Sequence, residues 1–222
     1  MKQRRFLLAG AAALLALSAA ASAGAQAAYP GKAVKFINNF PPGGPSDIIA
    51  RSLAHELQKS LKQTFFVENK PGASGNIGAD QVAKAAPDGY TVLIGIDTAF
   101  TVNPHIYKGL AFKASDFKPV MVMASSGLLV GANPGTVYKT LADLIAAGKT
   151  KTINFASAGS GSPGHLAAEL FKEATGMKIT QVPYKGNSPA VGAVLSGEVD
   201  AGVLATPGML PHVKAGKITA LA

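Results

Sequence analysis

Two glycine-rich loops hold the residues best suited to chemistry. The first reads Asn38-Asn39-Phe40-Pro41-Pro42-Gly43-Gly44-Pro45-Ser46-Asp47. It follows the apolar run Val34-Lys35-Phe36-Ile37, a strand pattern, and precedes Ile48, Ile49, Leu53, Leu57 and Leu61, whose spacing marks one face of a helix. Glycine accepts positive φ and lets a ligand approach the backbone. A helix start leaves N–H groups unpaired and carries partial positive charge, so the arrangement suits an anion. Gly43, Gly44, Pro45 and Ser46 would shape the cradle, and Ser46 or Asp47 would cap the helix. An anionic Asp47 would repel a carboxylate at close range, which assigns it to capping or to holding a water.

The second loop, Ala158-Gly159-Ser160-Gly161-Ser162-Pro163-Gly164, follows Ile153-Asn154-Phe155 and opens a helix bearing His165, Leu166, Leu170 and Phe171. Two helix starts facing each other would grip an anion from both sides, with Ser160, Gly161, Ser162 and His165 at the second. Gly159, Gly161 and Gly164 also fit the dinucleotide fingerprint. That fingerprint wants an acidic residue near the end of the next strand, and Ile179-Thr180-Gln181-Val182-Pro183-Tyr184 has none. Further contacts are expected from Ser74, in a Gly-rich turn, and from Thr98, just past a strand end. Tyr184, at another strand end, could close over a ligand, with Lys185 beside it. His55, His105, His165 and His212 lack metal-ligand spacing, and no Gly-x-Ser-x-Gly elbow is present, so neither a metal site nor that hydrolase chemistry is expected.

The elements that position these loops alternate. Strands are expected at 34–37, 64–68, 90–96, 119–132, 152–157, 179–183 and 199–205. Helices are expected at 47–62, 76–86, 140–148, 164–175, 188–197 and 208–215, and 97–116 reads as loop. This order predicts an α/β protein with parallel sheets flanked by helices, in two lobes at 29–118 and 119–217.

The motifs also carry a resemblance. Pro42-Gly43-Gly44-Pro45-Ser46-Asp47 with Ala50-Arg51 resembles the first loop of the Bug proteins, the substrate-binding proteins of tripartite tricarboxylate transporters. The match runs on through Glu68-Asn69-Lys70-Pro71-Gly72, Ala86-Pro87-Asp88-Gly89-Tyr90, Val102-Asn103-Pro104, Asp116-Phe117-Lys118-Pro119 and Val182-Pro183-Tyr184-Lys185-Gly186, in the family's order. The resemblance implies a two-lobed periplasmic-binding-protein (Venus flytrap) fold with a small carboxylate in the cleft, and no cofactor. It implies delivery to a two-component membrane permease. Ile96-Asp97 departs from the family's usual Gly-Asn type sequence. Family members continue beyond the equivalent of Ala222, so residues 218–222 are expected to begin the strand that returns to lobe one, leaving that lobe incomplete.

Composition narrows the function classes. With 48% hydrophobic and 15% charged residues the chain has a core to build. There are no cysteines, which excludes thiol catalysis and cysteine-held clusters. The formal charge of +9 falls to +6 without Lys2, Arg4 and Arg5, and the remaining cations are scattered, unlike a nucleic-acid face. Those three cations, the apolar stretch from Phe6 to Ala20, and Ala21-Ser22-Ala23 or Ala25-Gln26-Ala27 read as a signal peptide over 1–28, cleaved between about Ala23 and Ala28 for export to the periplasm. The leading reading is a solute receptor for a di- or tricarboxylate, an aromatic acid or an acidic amino acid. The alternatives are a ligand sensor read by a kinase, a nonfunctional fragment of a receptor, and an enzyme, which the missing catalytic dyad disfavours.

Overall fold

The computed structural model describes residues 29–222, so the expected leader lies outside the described residues. Strand β1 (Val34–Asn38) is buried along nearly its whole length, as a strand covered on both faces must be. It pairs in parallel with β2 (Phe65–Asn69) on one side and β3 (Thr91–Ile94) on the other. Helices α1 (Pro45–Leu61) and α2 (Asn76–Ala83) form the crossovers. Ala50 and Ala54 on α1 pack into a core with Val34, Phe36, Phe65 and Ile94. Their small side chains let the helix lie close to the sheet. The Phe36 and Phe65 rings sit 5.6 Å apart.

The segment expected as loop at 97–116 instead carries two short helices, α3 (Thr98–Thr101) and α4 (Asn103–Ile106), and a 3-10 turn at Ala114–Asp116. Phe100, Phe112 and Phe117 hold it together edge to face. The strand expected from 119 begins only at β4 (Leu128–Ala132). Val120, Met121 and Val122 are 83%, 70% and 86% exposed. An apolar run becomes a strand only beside a hydrogen-bonding partner, and no described strand lies against this one.

The second sheet runs β6-β5-β7-β4-β8. Its strands β5 (Ile153–Ser157), β6 (Ile179–Pro183) and β7 (Ala201–Ala205) are parallel, whereas β4 is antiparallel to β7 and to β8 (Thr219–Ala220). The return strand expected at 218–222 therefore adds Thr219 and Ala220 to the second sheet. Helices α5 (Leu141–Thr150), α6 (Pro163–Thr175), α7 (Asn187–Ser196) and α8 (Thr206–Lys214) cover it. Tyr138, Leu144, Ile153 and Phe155 fill one side, and Val191, Val194, Leu204 and Met209 the other.

Candidate ligand-binding cleft

The loops singled out above lie at the carboxyl ends of parallel strands, the edge where open α/β sheets bind ligands. After β1 the chain reaches Gly43, whose φ of 77° lies in the left-handed region. Gly44 is the N-cap of α1 and Pro45 its first residue. Pro suits that position because its missing N–H would have been unpaired anyway. The helix thus starts earlier than expected, and neither Ser46 nor Asp47 caps it. The first helical hydrogen bond joins Ile48 N–H to the Gly44 carbonyl. The Ser46 and Asp47 amides precede it and have no carbonyl one turn back.

Asp47 is instead the buried anchor of the loop. Its Oδ2 accepts from Gly43 N–H at 3.0 Å and from Arg51 Nε at 2.9 Å, and its Oδ1 from Asn69 Nδ2 at 2.8 Å. Burial by itself would push this carboxyl up. The donors Arg51, Gly43 and Asn69 outweigh it and hold the group below the usual carboxylate range. Asp47 therefore fixes the Gly43 conformation and presents no free charge to a ligand.

On the second lobe Ser162 is the N-cap of α6, its hydroxyl accepting from His165 N–H at 3.3 Å. Its hydroxyl is buried and spent on the helix. Ser160 is exposed, and Gly161 has a φ of 80° and faces Ile106 of lobe one. A Cβ at Gly164 would run into the Val203 carbonyl, so this glycine serves the packing of α6 on β7. Gln181, near the place where the dinucleotide fingerprint needs an acid, donates to the His165 carbonyl at 3.0 Å. His165 Nδ1 is buried with no hydrogen-bond partner.

The remaining expected residues divide. Ser74 sits at the lobe contact, described below. Thr98 is buried at the start of α3. Tyr184 packs against the second-lobe core and donates its hydroxyl to Glu198 Oε1 at 2.8 Å. Burial, with Glu198 beside it, pushes this phenol up to about 12. Its hydroxyl is committed away from any ligand, against the expectation that Tyr184 closes the cleft.

Several cleft residues were not singled out from the sequence. Ser188, in the first turn of α7, donates to the Pro42 carbonyl of the first lobe at 3.2 Å. Asn187 accepts from Ala205 N–H at 2.9 Å and ties this helix start to β7. Asn39 is buried, donates to the Gly75 carbonyl at 3.1 Å and is packed by Gly75, Gly78 and Gly95. The signal for Asn187 and Ser188 was present: a Gly-Asn-Ser-Pro turn at a strand end. Nothing local marked Asn39. Its role depends on glycines from two other segments.

Besides Met123, which packs on the first-lobe core, the lobes touch at two places. Pro41, Pro42 and Gly43 meet Gly186 and Ser188, and Ser74 and Tyr107 meet Gly159 and Ser160. Beside the second contact lies a recess of about 310 Å³ lined by Ile106, Tyr107, Ser160, Gly161, His165 and Leu166. Among the described residues no group of three His, Asp or Glu side chains could hold a metal ion, and no helix is long and apolar enough to cross a membrane.

Two α/β lobes that meet through loops at the carboxyl ends of their parallel strands define the periplasmic-binding-protein fold, and the solved relatives agree. A solved periplasmic transporter superposes with a TM-score of 0.84 at 38% identity, covering 88% of this chain and 66% of that one. The R. palustris protein Rpa4515, solved with adipate, gives 0.84 at 35% identity and covers 87% and 66%. MatC of Rhodopseudomonas palustris, with bound malate, gives 0.80 at 30% over 87% and 67%. The family model described as "Tripartite tricarboxylate transporter family receptor" matches residues 49–222. The chain belongs to this family. It is 39% identical to protein BugT of Bordetella pertussis over 198 residues, which is 87% of this chain and 61% of BugT. It spans about three fifths of the length of the curated relatives it matches. Family and fold are those of solute-binding proteins.

Proposed function

We propose that this chain is a periplasmic solute-binding protein. In this reading it is exported by its leader, captures a small carboxylate between lobes at 29–118 and 119–217, and passes it to a two-component membrane permease. One observation carries the proposal. Two loops that open helices meet from opposite lobes, with Ser188 Oγ 3.2 Å from the Pro42 carbonyl. An anion between them would meet the unpaired Ser46 and Asp47 amides and the backbone of Gly43 and Gly44 on one side. Ser188 Oγ and the start of α7 would stand on the other, and the loop at Ser160 and Gly161 would close from the second contact, with the exposed Ser160 hydroxyl as its donor. Neutral donors of this kind satisfy a carboxylate without an arginine. The adipate and malate bound by two solved relatives support the ligand class. Asp47 and Ser162 act as supports of the loops. No covalent step is needed: binding energy draws the lobes together, and the closed shape is what a permease reads.

The test is thermal unfolding of the chain against adipate, malate, citrate, benzoate and glutamate. At a concentration one hundred times Kd, a ligand that binds only the folded state adds about 2.7 kcal/mol, a shift of several degrees. A cooperative transition that none of these acids raises overturns the proposal.

A further inference from the structure

The second lobe contact is built from more than packing. Ser74 Oγ donates to the Ser160 carbonyl at 2.6 Å, joining residues 86 positions apart and in different lobes. The same oxygen accepts from the Tyr107 hydroxyl at 2.9 Å, and that hydroxyl also lies 3.4 Å from the Ser160 carbonyl. The backbone that aims Ser74 is unusual. Ala73 and Ser74 have φ of 46° and 52°, in the left-handed region that residues with a Cβ rarely enter. Such a turn persists only where its surroundings hold it. Buried Asn103 donates to the Ser74 carbonyl at 3.0 Å and to Asn76 Oδ1 at 2.6 Å, bracing the turn from α4. Opposite, a Cβ on Gly159 would stand only 3.0 Å from Ser74 Oγ, so glycine there admits the close approach.

We propose that Ser74 and Tyr107 are positioning residues of the cleft: a hydroxyl clasp that holds the ligand loop of lobe two, through the Ser160 carbonyl, when the lobes are closed. With its carbonyl turned to lobe one and held there, the peptide that follows Ser160 has its N–H directed the opposite way. The clasp therefore fixes the orientation of the Ser160–Gly161 peptide as well as the distance between lobes. Separation of the lobes breaks the Ser74–Ser160 bond but not the Tyr107–Ser74 or Asn103–Ser74 bonds, which stay within lobe one. Closure is thus met by a donor already in place. All its members are uncharged. This role rests on the carboxylate reading only for its kinetic readout.

The experiment uses Ser74→Ala and Tyr107→Phe, the second of which removes one oxygen and leaves the backbone alone. The chain has no cysteine, so Lys59→Cys and Glu173→Cys, exposed and on different lobes, give a unique spin-label pair. With adipate or malate as probe, each variant is expected to release the acid about three to ten times faster, the range for one net hydrogen bond. Association should stay within about twofold, and the inter-lobe distance distribution should broaden. Dissociation rates and distances both equal to those of the parent protein in the two variants overturn the clasp. If the parent binds no acid but the distances broaden, the clasp stands and the carboxylate reading fails. If it binds and the variants change only the melting temperature, the contact is merely structural and the clasp is overturned.

Discussion

Ser188 and Pro42 are separated by 146 positions in sequence, yet the Ser188 hydroxyl reaches the Pro42 carbonyl at 3.2 Å. It is a side chain of one lobe bonded to the backbone of the loop that prepares the other lobe's helix start. A Cβ on Gly43 or Gly44 would stand 3.6 and 3.7 Å from the same oxygen. The two loops therefore stand at ordinary contact distance at this junction.

Bulk at the glycines is therefore expected to abolish binding. Gly43→Val and Gly161→Val each place a branched side chain at a positive φ, and the second drives it toward Ile106. We expect loss of carboxylate binding by calorimetry, with the far-UV circular dichroism nearly unchanged. Unchanged affinity in both variants would remove the two-loop arrangement.

Asp47→Asn keeps the shape but removes the charge that Arg51 faces at 2.9 Å. The variant is expected to lose about 1–3 kcal/mol of stability, the usual cost of breaking such a bond at a buried carboxylate. The sign of its pH dependence follows from the lowered carboxyl. Its stabilisation is full above the unfolded-state value and is lost as pH falls through the lower folded one. Denaturant titrations between about pH 5 and 2 should show the parent losing its advantage over the variant toward the acid end. A constant gap across that range would contradict the assignment.

Tyr184→Phe should leave ligand affinity within about twofold, because the hydroxyl is already given to Glu198 and not to the cleft. The phenol pushed up to about 12 stays protonated in the folded chain beyond its unfolded value. Its stabilisation is present below the unfolded-state value and disappears as pH rises toward 12. Ultraviolet titration should therefore show one fewer late-titrating tyrosine in the variant, in which the Tyr29 phenol, raised by burial, remains. A tenfold loss of affinity in Tyr184→Phe would restore the cleft role.

Gly164→Ala tests packing alone. Its methyl would meet the Val203 carbonyl, a backbone atom that cannot rotate away. We expect a loss of about 3 kcal/mol or failure of the second lobe to fold, read by chemical denaturation. A stability equal to the parent would mean that α6 does not sit on β7 as described.

Local pattern was enough for most of the fold. Alternating apolar runs and helical stripes placed the parallel strands and the main helices within a few residues, because each must bury one face and the spacing shows which. The turns at Gly43 and Gly161 were legible for the same kind of reason, as turn chemistry acts over a few residues, whereas Ser162, expected to contact a ligand, caps α6. What the sequence could not decide was the partner of each polar group. Asp47 looked like a cap and became a loop anchor because Asn69 and Arg51 surround it. Tyr184 looked like a lid and turned to Glu198. Residues 119–127 looked like a strand and have no strand paired beside them among the described residues. Ser74 and Ser188 meet Ser160 and Pro42 across the lobes, and Asn103 and Tyr107 meet Ser74 from 29 and 33 positions away within lobe one. Hydrogen bonds act over about 3 Å, so their pairing is set by tertiary structure, whereas burial periodicity is already written into neighbouring residues.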